Sequence, residues 1–125
     1  MYKRLLLLLF LLSTTSCSLF KGDDPYQAGL ELTLLITDEL RKIETLDDVK
    51  ERASCLEELF LELAELSIKA RRKELEKGEK QTIPQENEIA SKFLYNELLR
   101  ISMIHGASSE LEKIQLSSVL KLEQF

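Results

Sequence analysis

The chain has 125 residues, charged side chains make up 31%, and its formal net charge is −5. Apolar residues are too plentiful and the charges too evenly mixed for a disordered chain. An acidic balance disfavours nucleic acid as a partner.

The chain opens with Lys3 and Arg4, followed by an apolar run from Leu5 to Leu12 and then Ser13, Thr14, Thr15, Ser16 and Cys17. A basic start, a short apolar core and a small-residue exit form a secretory leader. The run falls far short of the ~20 residues needed to span a bilayer. Removing Lys3 and Arg4 with the leader takes the formal charge from −5 to −7. The expected organisation is a signal peptide over 1–16, a short tether over 17–24 and one small domain over 25–125.

The exit region resembles the lipobox of bacterial lipoproteins. Ser16 matches the small residue before the cysteine and Thr15 is acceptable one place earlier; Thr14 departs from the usual aliphatic residue. The resemblance covers the leader only. It implies that Cys17 is acylated and becomes the first residue of the mature chain, which reaches the membrane through that lipid. An incidental thiol at Cys17, after an ordinary leader, is the alternative. Ser18 stands where an aspartate often signals inner-membrane retention in such lipoproteins, so the outer membrane is favoured if the cell has two. With Cys17 lipidated, Cys55 has no partner for an internal disulfide and is expected to pack as a small hydrophobe.

The rest reads as helices. Asp24-Pro25 gives a cap followed by the proline favoured at a helix start. That first helix runs to about Ile43 with Leu32, Leu35, Ile36, Leu40 and Ile43 on one side. Thr45 and Asp48 form a capping-box pattern for the second. Its stripe is Val49, Ala53, Leu56, Phe60, Leu63 and Ala70, widened by Leu59 and Leu66, and nothing interrupts it before Gly78. This is one long helix or two collinear ones. After a polar connection, Pro84 starts the third, with Ala90, Phe93, Leu94, Leu98 and Ile101 inward and a stop expected at His105-Gly106. Ser109 and Glu112 suggest a capping box for the fourth, whose stripe is Leu111, Ile114, Ser118 and Leu122. Short connections at Glu44-Thr45 and Gly106-Ser108 favour antiparallel neighbours. The fold expected is an all-α, small antiparallel bundle of three to four helices.

Catalytic patterns are missing from the sequence. There is one histidine, His105, and no glycine elbow, phosphate loop or metal-spaced cluster, so no enzyme activity, cofactor or metal is expected. Glu57, Glu58, Glu62 and Glu65 read as a solvated face, with Glu65 and Lys69 an ordinary i,i+4 pair. The cations Lys69, Arg71, Arg72, Lys73, Lys77 and Lys80 gather near a helix C-terminus, where the dipole favours them. Because the tether spans at most ~25 Å when extended, the same cluster is a candidate membrane or partner contact. The function expected is a small envelope lipoprotein that binds another protein, in a structural or assembly role. Pilotins, one family of which is a four-helix bundle of about this size with a disulfide absent here, offer an architectural analogy. The alternative is a carrier of lipid or a small ligand, with Phe60, Phe93, Tyr95 and Met103 lining a cavity between helices.

Overall fold

The computed structural model describes residues 24–78 and 82–124. The leader, Cys17, most of the tether and Lys80 lie outside the described residues. Within them are four helices and no strand: α1 (Pro25–Arg41), α2 (Leu46–Lys77), α3 (Gln85–Ser102) and α4 (Ala107–Glu123).

The first two starts form as the side chains dictate. Asp24 accepts a hydrogen bond from the Tyr26 amide, and Pro25 opens α1. At α2 the Thr45 hydroxyl accepts from the Asp48 amide while the Asp48 carboxylate accepts from the Thr45 and Glu44 amides. Those amide hydrogen bonds hold the Asp48 pKa below its ordinary value. A carboxyl whose folded pKa is depressed adds stability above its unfolded pKa, and loses it as pH falls through the folded one. Wild type should therefore lose unfolding midpoint below about pH 4, the ordinary Asp range, by more than Asp48→Asn does. Thr45→Ala should cost about 1 kcal/mol at neutral pH, the usual worth of an N-cap.

The last start differs from the expected one. No Ser109 capping box forms, because α4 begins at Ala107 with Gly106 as its cap. Gly106 sits at φ +82°, where a Cβ would meet Leu46 Cδ2 at 3.2 Å. The turn it makes buries Ala107 completely and draws the helix start back. α3 ends at Ser102, so His105 stands exposed in the turn and Arg100 is the basic residue of the last turn.

α2 is one unbroken helix of 32 residues, about 48 Å at 1.5 Å per residue. It packs most extensively on α4, and α1 packs on both α2 and α3, while α3 and α4 touch little. Cross-helix bonds give the directions. Asn87 Nδ2 donates to Tyr26 O at the start of α1, and Arg100 donates to Leu40 O and Ile43 O at its end. α1 and α3 are therefore parallel. Ser117 to Glu57 and Lys121 to Glu65 make α2 and α4 parallel as well. The chain runs up, down, up, down, but its closest interfaces beyond α1–α2 are between parallel helices that are not consecutive. Around the bundle the order is α1, α2, α4, α3.

One core joins Ile36 and Leu40 of α1 and Ile43 just after it to Val49, Leu56 and Phe60 of α2, Ile101 of α3 and Ala107, Leu111 and Ile114 of α4. Three of the residues expected inward, Leu35, Phe93 and Leu122, are exposed instead. On α1 the buried face is shifted away from Leu35 toward the opposite flank, which carries Thr33 and Thr37. Both are buried, each donating its hydroxyl to the carbonyl four residues back, at 2.7 Å. A buried hydroxyl satisfied within its own helix carries little penalty. On α3 and α4 the cause is the thin contact between the two helices, which leaves their flanks uncovered.

Candidate functional site

Where α1 starts and α2 ends, the four helices diverge around an open groove of about 870 Å³. α1 contributes Pro25, Tyr26, Gly29 and Thr33; α2 contributes Leu63, Leu66, Ser67, Arg71, Glu74 and Leu75; α3 contributes Asn87, Ser91 and Leu94. Ile83 of the connection and Leu122 of α4 complete it. Aliphatic side chains and polar ones both line it. Tyr26 donates its hydroxyl to Glu74, clasping the start of α1 to the end of α2. That bond to a carboxylate raises the Tyr26 pKa, with burial and the Glu74 charge adding to it.

None of the four side chains expected in an inter-helical cavity lines this groove. Phe60 is in the core at 6% exposure, while Phe93, Tyr95 and Met103 face outward. The groove exists because α2 is nearly twice as long as its neighbours, so its last turns extend past the point where the core closes. The uninterrupted stripe from Leu46 to Lys77 carried that signal in the sequence, but the positions of the other helices against it did not.

A second feature is the apolar character of two outward faces. On α3 and its C-cap, Tyr95, Leu99 and Met103 follow at i, i+4 and i+8, and Met103 is 86% exposed. On α4, Leu116, Val119 and Leu120 repeat this at i, i+3 and i+4, with Leu116 at 55%. Both rows stand on the side of their helix opposite its buried residues, so the bundle itself cannot cover them.

The cationic cluster divides. Lys69, Lys73 and Lys77 share one face of α2 at four-residue spacing, with Arg72 beside them, while Arg71 turns toward the groove. Glu74 and Glu76 interrupt the run. The acidic row divides too. Glu57 and Glu65 meet Ser117 and Lys121 of α4 at 3.1 and 2.7 Å, whereas Glu58 and Glu62 remain exposed. Glu65 thus spends its charge across helices rather than solely toward Lys69. Cys55 is half-buried, and that burial pushes its thiol pKa up, disfavouring the thiolate.

Among the described residues no group of three His, Cys, Asp or Glu could hold a metal ion. No described helix is long and apolar enough to cross a membrane. Comparison with protein families, curated proteins and solved structures finds no match to this chain.

Proposed function

We propose that this chain is a lipid-anchored protein of the cell envelope whose helical bundle binds another protein and performs no chemistry itself. The observation that carries the binding role is the pair of outward apolar rows, Tyr95-Leu99-Met103 on α3 and Leu116-Val119-Leu120 on α4. Contiguous apolar surface of this kind marks a protein or membrane contact. The anchoring role rests on the leader and its small-residue exit to Cys17. A structural or assembly role of the pilotin kind fits a tethered bundle with a sticky face, by analogy of architecture alone.

The test uses the full chain in its own envelope. Mass spectrometry should find lipid on Cys17, and Cys17→Ala should release the protein from membranes. Wild-type protein should co-purify one envelope partner that Leu116→Glu/Leu120→Glu loses while keeping its helical content. An unmodified Cys17 would reject anchoring; an unchanged set of companions would reject the α4 face as the contact.

The same reading gives the α2 tip a membrane role. Residues 75–77 run past the clasp between Tyr26 and Glu74, so the cations end α2 on the tether side of the bundle. Cations near an anionic surface contribute ~1 kcal/mol each in juxtamembrane segments. Protein without lipid should bind anionic vesicles weakly, and high salt should abolish that binding. Reversal of Arg71, Arg72 and Lys73 to Glu should remove it; equal binding by wild type and the reversal variant would return the cluster to a helix-end role. The carrier reading draws on the groove, whose volume falls in the ~300–1,000 Å³ range of ligand sites.

A further inference from the structure

The groove at the tether end leaves aliphatic side chains open: Leu75 is 68% exposed, Ile83 53% and Leu122 47%. Side chains that could cover them lie in the same chain. Just before the described residues come Ser18, Leu19, Phe20, Lys21, Gly22 and Asp23. Leu19 and Phe20 are the only large apolar residues between Cys17 and Pro25.

Position decides the matter. Pro25 and Tyr26 are themselves part of the groove wall. Phe20 is five residues before Pro25, within ~18 Å even at full extension. Gly22 lies between them and can adopt the backbone angles a reversal of direction needs. Held this close, the pair has a high effective concentration at the groove, which a free ligand would have to match. Charge agrees: Lys21 follows the pair, and the Glu74 carboxylate stands on the rim next to Tyr26.

We propose that the groove is the seat of the chain's own Leu19–Phe20 segment. Docking covers Leu75, Ile83 and Leu122 and fixes the tether to the bundle. It also shortens the free leash. With Leu19 seated, only Ser18 separates it from Cys17, about 7 Å at most. On the lipoprotein reading proposed above, the groove end of the bundle then rests on the headgroups rather than swinging at the end of seven residues. The docking itself does not depend on lipid.

The test is thiol protection in the full chain with Cys55→Ser. Ser67→Cys and Ser91→Cys are small changes at groove positions on α2 and α3, and Ser54→Cys is an exposed control nearer the start of α2. Maleimide should label the two groove thiols several-fold faster when Leu19→Ser/Phe20→Ser is added, with the Ser54→Cys rate unchanged. Unaltered groove rates, or an equal rise at Ser54→Cys, would overturn the proposal. So would protection that grows with protein concentration, which assigns the groove to a second copy. Protection that survives the tether substitution and disappears on solvent extraction would assign it to a lipid ligand and overturn it equally. Peptide-resolved mass spectrometry of the same sample reads Cys17. A lipid-free Cys17 would sink the anchoring reading, whereas unprotected groove thiols would sink this one.

Discussion

Phe60→Ala should lower the stability of the bundle by about 3–5 kcal/mol, the usual cost of truncating a buried aromatic. Small domains have ~5–15 kcal/mol in total, so the variant stands near the limit of folding. The side chain sits at 6% exposure within the cluster that also holds Ile36, Leu56 and Ile114, so its loss opens a cavity among elements from three helices. Phe93→Ala is the internal comparison. It removes the same atoms from a site 47% exposed, outside that cluster, and should cost a small fraction as much. Denaturant unfolding of the two variants measures the difference directly. Equal midpoints would mean that the core is centred elsewhere.

The two phenylalanines also show what could be read from the sequence. Both lie on stripes with helical spacing, and spacing identifies a face without telling how much of it a neighbour covers. Fold class, the Asp24 and Thr45 caps and the inner residues Leu32, Ile36, Leu40, Leu56, Ile101 and Ile114 were legible, because they follow from local chemistry and period. Contacts between helices far apart in sequence were not. The parallel pairing of α1 with α3 and of α2 with α4 depends on the crossing from Gly78 to Pro84, and no residue there states its direction. Ala64 was missed as a core residue because a small side chain adds little to an apolar stripe. The groove was missed for the same reason as the pairing. Four stripes predict four buried faces, but the groove arises from the unequal lengths of α2 and its neighbours.

Arg100 is where that long-range arrangement depends most on one polar side chain, and Arg100→Leu should destabilise the bundle by about 1–2 kcal/mol. Its Nη1 and Nη2 donate to Ile43 O and Leu40 O at 2.9 Å each, while Nε donates to Glu97 Oε2 at 2.7 Å. The two carbonyl acceptors lie at and just beyond the C-terminal end of α1, where the dipole is negative, and Leu40 O also accepts the Ile43 amide at 3.0 Å. A charged hydrogen bond is worth ~1.5–3 kcal/mol when well shielded. The side chain is 43% exposed, so water replaces part of what is lost and the lower figure applies. Glu97 holds the fork in place and also approaches Arg41 Nε at 4.0 Å. Arg100→Lys should recover less than half of the loss, since one ammonium cannot reproduce a planar fork spanning two carbonyls. Urea unfolding of wild type, Arg100→Lys and Arg100→Leu gives the order, and a Lys variant as stable as wild type would show that charge alone suffices. On the binding role proposed above, the consequence reaches function through the joint between α1 and α3. Arg100 fixes α1 against α3, and α3 presents Tyr95, Leu99 and Met103. Loosening that joint should weaken partner capture by the α3 face while leaving the contacts of α4 with α2 intact.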